Sequence, residues 1–299
     1  MLFESFLKYI RYELNLSAYT VLSYSNDLKQ LCEFLNPGSN DCDWASVTTN
    51  DIRAWVVDLA SKGDSARTVR RKVQTTRAFY KFLMKRGVVS ESPAADVELA
   101  KVPKRLPVYV RESSMNEILA EDEDSQEFGR VRDRLIILML YSTGIRRGEL
   151  VDLQDANVDT NMCEMKVHGK RNKDRIVPFG EELAVAIGNY REIRDREIGN
   201  YNFGSFFVRK NGEPLYPQLV YKVVHNHLAA AGVGPKCSPH VLRHTFASAM
   251  LNNGAQLNSV KEILGHESLA TTQVYTHITF SELKSNYEHA HPRALKKGG

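Results

Sequence analysis

The chain is 299 residues long, which at ~150 residues per domain suggests two domains and is ample for a core without disulfide staples. Apolar residues make up 42% and charged residues 25%, ordinary globular usage that argues against disordered and fibrous classes. Forty Lys and Arg stand against 36 Asp and Glu, and the resulting charge of +4 is too small to demonstrate an anionic partner. The longest apolar run of note, Leu135 to Tyr141, falls far short of the ~20 residues a bilayer span needs. The start, MLFESFLKYIRYEL, carries an acid early and lacks a small-residue cleavage site, unlike a secretory signal. Cys32, Cys42, Cys163 and Cys237 are scattered, with no CxxC pair and no His at ligand spacing. That pattern argues against a disulfide framework or a metal site and for a reducing cytoplasm.

Apolar spacing predicts helices from residue 1 to about 90. Phe3, Phe6, Leu7, Ile10 and Leu14 recur three and four apart, as do Leu28, Leu31, Phe34 and Leu35. Ser17 suits the N-cap of a helix that Asn36-Pro37-Gly38 stops. Thr49 or Asn50 is expected to cap the next helix, and Ser65 a fourth that Gly87 closes. Between residues 61 and 90, Lys62, Arg67, Arg70, Arg71, Lys72, Arg77, Lys81, Lys85 and Arg86 face Asp64 as the lone acid. A run without balancing acids predicts phosphate contacts, which position a protein on nucleic acid without reading its sequence.

ELAKVPKRLPVYV (98–110) has two prolines, the bases Lys101, Lys104 and Arg105, and little helical period. It reads as a linker, with a domain boundary near 100–108. Ser113 or Ser114 is then expected to cap a helix, and VRDRLIILMLYSTG (131–144) predicts a buried helix ending at Gly144. CEMKVHG and DRIVPF change to strand period and predict a hairpin joined by the basic turn GKRNK. A helix from Glu181 to Glu197, a strand at SFFV and further helices complete the expectation. The fold class is mainly α, with a small antiparallel β-sheet in the larger C-terminal domain.

Taken singly, Arg146, His240, His266 and Tyr275 all have unremarkable structural roles open to them. Five segments together carry more information: TGIRRGEL (143–150), VHGKRNKDRIVPF (167–179), SPHVLRHTFA (238–247), LGHESLATTQVYTH (264–277) and HAHPRA (289–294). Jointly they resemble the tyrosine recombinase (phage integrase) family, most closely its Xer-type members. FLKYIRYELNLSAYTVLSYSNDL and TVRRKVQTTRAFYKFL look like that family's N-terminal core-binding domain, so the resemblance covers nearly the whole chain. It implies a four-to-five-helix core-binding, DNA-binding domain over 1–100, a linker over 101–110 and a catalytic domain over 111–299. Ile145 and Arg171 stand where leucine and glycine are commoner in the family.

By the same resemblance, Arg146 and Arg243 are the catalytic arginines, Lys170 the hairpin lysine, His240 and His266 the histidines, and Tyr275 the nucleophile. Glu149 supports the first arginine. The chemistry accounts for these types. A phosphodiester undergoing substitution gathers negative charge on its non-bridging oxygens, and two always-protonated guanidinium forks match that geometry. A phenol with a reference pKa near ~10 needs a base, for which His240 is the natural choice, while His266 donates to a phosphoryl oxygen. Lys170 can protonate the departing 5′-hydroxyl. His244 and His277 fit no ligand spacing; His244 is expected to pack or hydrogen-bond within its helix. DNA contacts are expected from Arg67, Arg70, Arg71, Lys72, Arg77, Lys101, Lys104, Arg105, Arg171 and Lys173.

The resemblance implies a site-specific recombinase that works through a 3′-phosphotyrosyl intermediate with no metal, ATP or other cofactor. Its Xer-type members imply a short, roughly palindromic chromosomal site in double-stranded DNA, dif-like, where chromosome dimers are resolved. They also imply a tetramer on two sites with itself or a paralogue, a DNA translocase as candidate activator, and no membrane. The tail YEHAHPRALKK (287–297), charged and aromatic, is expected to pack into a neighbouring subunit. Alternatives are an integrase of a mobile element, a DNA-binding regulator without catalysis, and a type IB topoisomerase.

Overall fold

A computed structural model describes residues 2–39, 42–102, 108–121, 124–169, 174–199, 204–234, 237–265 and 280–294. The chain divides into two compact units, Met1–Arg105 and Leu106–Gly299. Both are mainly helical, and the second also holds a small antiparallel sheet.

In the first unit α1 (Leu2–Lys8) runs into a π turn (Tyr9–Glu13), followed by α2 (Ala18–Leu35), α3 (Thr49–Ser61) and α4 (Ala66–Lys85). Ser17 and Ser65 begin α2 and α4 as expected, their hydroxyls accepting the backbone N–H of Thr20 and Thr68, each at 3.2 Å. The cap of α3 is Thr48, one residue earlier than expected. Asp51 decides it, because its carboxylate accepts the Thr48 N–H at 2.8 Å while Thr48 Oγ1 accepts the Asp51 N–H at 3.3 Å, a reciprocal box that Thr49 or Asn50 could not close. Phe6, Leu28, Leu31, Trp55, Phe79 and Leu83 form the core, and Phe79 meets Phe6 edge-on with ring centroids 5.1 Å apart.

The basic run on α4 is only partly a surface feature. Lys72 is 6% exposed, and its ammonium donates to Asp64 at 2.6 Å. Arg77 donates to the backbone carbonyls of Ala94, Ala95 and Val97 at 2.8, 3.1 and 3.0 Å, tying down the chain after α4. Both cations thus have acceptors within their own unit, which they would share with any phosphate. Arg71 bonds Ser23 and pairs with the buried carboxylate of Asp27, yet it stays exposed, as do Arg67, Arg70 and Lys101. Arg70 also donates to the Ala100 carbonyl at 3.1 Å. Lys104 and Arg105 lie outside the described residues.

The second unit begins with α5 (Glu112–Ala120), whose N-cap is Arg111 rather than Ser113 or Ser114; both serines lie inside its first turn. At its centre α6 (Phe128–Thr143) is buried from Leu135 through Thr143, the all-round apolar pattern of a core helix. Gly144 stops it in the left-handed conformation with φ +62°. A Cβ there would lie 2.5 Å from the Phe246 ring and 2.8 Å from Leu264, so glycine is needed for conformation and for clearance.

After α7 (Arg147–Val151) come β1 (Val158–Asp159), β2 (Glu164–His168) and β3 (Asp174–Pro178) in that spatial order, antiparallel, with Met165 opposite Val177 and Val167 opposite Arg175. The hairpin was expected; the two-residue β1 was not. Then follow α8 (Glu181–Ile198), α9 (Pro217–Ala230), α10 (Pro239–Asn252), α11 (Leu257–Leu264) and α12 (Phe280–Ala290). The strand expected at SFFV is absent. Ser205 and Val208 make isolated bridges to Gln154 and Pro214, and the two rings, Phe206 and Phe207, are buried beside Tyr190. Among the described residues no helix is long and apolar enough to cross a membrane.

Residues 283–294 of the C-terminal segment pack on their own unit. Leu283, Tyr287, Ala290 and Ala294 belong to the core around α6, and Tyr287 stacks on the His291 ring at 5.2 Å. His291 is 4% exposed; its Nε2 faces the Tyr141 carbonyl at 3.3 Å and its Nδ1 accepts the Arg293 N–H at 3.1 Å. Arg293 reaches on to Asn116 Oδ1 at 2.8 Å and pairs with Glu182. Deleting residues 286–299 withdraws Tyr287 and its neighbours from the core, and is expected to destabilise this unit by at least ~3 kcal/mol, the scale of a large-to-small aromatic loss. Urea denaturation checks it; an unchanged midpoint counts against this packing.

Candidate active site

The first element of the site is the turn after α6. Gly144 reverses the chain, buried Ile145 anchors it, and Arg146 follows in extended conformation at the start of α7. Glu149, in the first turn of α7, accepts the Arg146 backbone N–H and guanidinium, each at 2.7 Å. Its carboxylate sits at the positive end of a helix and is 6% exposed.

Arg175 closes the other side of Glu149. It reaches from β3 and donates from two nitrogens to the two carboxylate oxygens, each at 2.9 Å, while its Nε donates to the Ile263 carbonyl at 2.7 Å. Burial alone would push the Glu149 carboxyl up, but the hydrogen bonds and charge of Arg175 and Arg146 outweigh it and hold the pKa below the usual carboxylate range. Sequence reasoning did not single out Arg175. Strand alternation was the available signal, since Arg175 shares a face of β3 with buried Val177 while Ile176 is turned outward.

Arg243 comes from α10, where Pro239 pre-sets the first turn. It is 7% exposed and donates to the Gly144 and Leu264 carbonyls, both at 2.6 Å. Its pKa is pushed down to about 10 by burial and by the Arg146 and Arg175 charges, with Glu149 opposing, so it remains protonated at neutral pH. His240 lies one turn before it on the same helix and reaches solvent. Partial desolvation, then His244, Arg243, Arg147 and Arg146, hold the His240 pKa below its ordinary value, which leaves the ring neutral and proton-accepting at pH 7. His244 is exposed on α10 rather than packed.

Arg146, Glu149, Arg175 and Arg243 are thus held by one connected set of hydrogen bonds around the end of α6 and the end of α11, and α10 carries His240 one turn before Arg243. Three guanidiniums face a single carboxylate, an excess of two positive charges. Each guanidinium carries five N–H donors; Arg146 and Arg243 commit two apiece to these anchors, and an anionic oxygen is the natural partner for others. Lys170, Arg171, Lys173, His266 and Tyr275 lie outside the described residues. Among those described, no group of three His, Cys, Asp or Glu is placed to hold a metal ion.

Residues 109–282 match the phage integrase family, and residues 3–87 match the phage integrase N-terminal SAM-like domain. The tyrosine recombinase XerC of Chlorobaculum tepidum is 36% identical over 97% of this chain and 94% of its own. The XerH site-specific recombinase bound to difH substrate shares the fold with a TM-score of 0.67 at 21% identity, covering 96% of this chain and 82% of that one. A lambda integrase tetramer bound to a Holliday junction does so at 0.68 and 18%, covering 93% and 80%. With both halves matched and a curated relative alike over nearly its whole length, the chain belongs to the phage integrase family of tyrosine recombinases, enzymes that cut and rejoin DNA strands.

Proposed function

We propose that this protein is a cytoplasmic Xer-type recombinase that resolves chromosome dimers at a dif-like site, with Tyr275 as its nucleophile. The observation that carries the catalytic assignment is the paired seating of Arg146 and Arg243 against the Gly144 turn and the end of α11, with a neutral His240 one turn away. Similarity to XerC over nearly the full chain, and to a XerH recombinase bound to difH substrate, supports the chromosomal substrate.

In this reading the two guanidiniums bind the non-bridging oxygens of the scissile phosphate, and Glu149 fixes Arg146. His240 takes the phenolic proton as the Tyr275 oxygen attacks phosphorus. The bond to the 5′ oxygen breaks, Lys170 protonates that oxygen, and His266 donates to a phosphoryl oxygen. The 3′-phosphotyrosyl ester conserves the energy of the phosphodiester, so a 5′-hydroxyl from a second strand reverses the step without ATP. Four protomers, of this chain or of this chain with a paralogue, bring two double-stranded sites together, and a DNA translocase serves as activator; the lambda integrase tetramer on a junction supports that assembly.

Nicked duplexes from which the short fragment bearing the freed 5′-hydroxyl diffuses away after cleavage trap the covalent complex. Digestion and mass spectrometry should recover the oligonucleotide on the peptide that contains Tyr275. Recovery on any other side chain overturns the assignment.

A further inference from the structure

Arg175 bridges Glu149 and the end of α11 and uses all three guanidinium nitrogens to do it. Two make the parallel pair to Glu149, and Nε holds the Ile263 carbonyl. Its side chain is 14% exposed and its described partners all lie within the protein. A bidentate fork of this kind fixes orientation as well as charge.

The end of α11 shows what that orientation serves. An α-helix leaves its last carbonyls without partners in the helix, and that end attracts cations. Here three successive carbonyls each go to a different arginine: Ile263 to Arg175, Leu264 to Arg243 and Gly265 to Arg146. Gly265 is left-handed at φ +60°, and a Cβ there would lie 3.2 Å from the Arg175 guanidinium, so the two surfaces are in close register. Arg146 is thus gripped through Glu149 and through Gly265, and Arg175 sets the position of both grips.

We infer that Arg175 is a positioning residue for strand cleavage: it locks Glu149 and the C-terminal end of α11, and through them aims the Arg146 guanidinium. It is not a phosphate ligand. The inference rests on the reading of Arg146 as a phosphate-binding group.

The test is single-turnover cleavage of a nicked duplex on which the wild-type protein forms its covalent adduct, with affinity for that duplex measured by mobility shift. Arg175→Gln should bind it as the wild type does and cleave about 100-fold more slowly, the penalty of a misplaced group near reacting atoms. Arg175→Lys keeps the charge but cannot span both carboxylate oxygens and a carbonyl, so it should recover only part of that loss. With Arg175 gone, Glu149 loses the strongest of the effects that lower its pKa, so it should release Arg146 more readily on acidification and the variant's rate deficit should deepen on the acid limb.

A folded Arg175→Gln protein with the wild-type rate and acid limb overturns the inference. So does an Arg175→Lys protein with the full wild-type rate, which would mean that charge alone suffices. Should neither variant fold, Arg175 serves the fold and the positioning role falls. Arg146→Gln, assayed in parallel, separates this from the reading beneath it: full activity there sinks the phosphate-binding assignment itself, whereas an inactive Arg146→Gln beside a fully active Arg175→Gln sinks only the positioning role.

Discussion

A Tyr275→Phe protein is expected to bind its DNA site with wild-type affinity and to form no covalent adduct. The substitution removes one oxygen and leaves the ring, so folding and DNA contacts have little reason to change. On the proposed assignment, catalysis loses the atom that bonds to phosphorus. The arginine cluster would still hold the phosphate, so binding and chemistry should separate completely. Trapping on nicked duplexes and mobility shifts measure the two independently. An adduct of equal yield from both proteins would falsify the nucleophile assignment.

Arg243→Gln is expected to fail twice. Removing one well-placed donor to a developing negative charge costs about 10²–10³-fold in rate. The structure adds a second loss, because the Gly144 and Leu264 carbonyls both depend on this guanidinium at 2.6 Å. A glutamine amide cannot reach both, and a buried carbonyl left without a donor costs about 1–3 kcal/mol. The variant should therefore cleave slowly even when fully folded, and unfold at lower denaturant than the wild type. Arg243→Lys should restore charge without the fork and remain slow. A folded Arg243→Gln protein that cleaves at the wild-type rate would remove Arg243 from the chemistry.

Much of the fold was legible where its causes are local. Ser17 and Ser65 cap their helices through backbone groups three residues away, and Gly144 stops α6 where the apolar run ends. The misses follow from longer-range causes. Thr48 gains the α3 cap because Asp51 reciprocates, and SFFV reads as a strand because buried aromatic and β-branched residues suit either strand or core loop. A nine-cation stretch cannot reveal which members turn inward: Lys72 finds Asp64 and Arg77 finds carbonyls of the chain after its helix. The motif arginines and His240 were visible because their segments resemble a family. Arg175 was not, because its significance lies in Glu149, 26 residues earlier, and Ile263, 88 residues later.

His291 gives the C-terminal segment a built-in sensitivity to acid. Its ring is satisfied as one neutral tautomer, with Nδ1 receiving the Arg293 amide, so a second ring proton would collide with a donor already in place. Desolvation accordingly drives its pKa down to about 3, against an ordinary ~6.5 once the chain unfolds. Between those values the unfolded chain takes up a proton that the folded one refuses, so stability is fully present above ~6.5 and drains away as the medium acidifies. Mild acidity would therefore loosen the latch that keeps residues 283–294 folded against their own unit, well before the Glu149 carboxylate of the arginine cluster is touched.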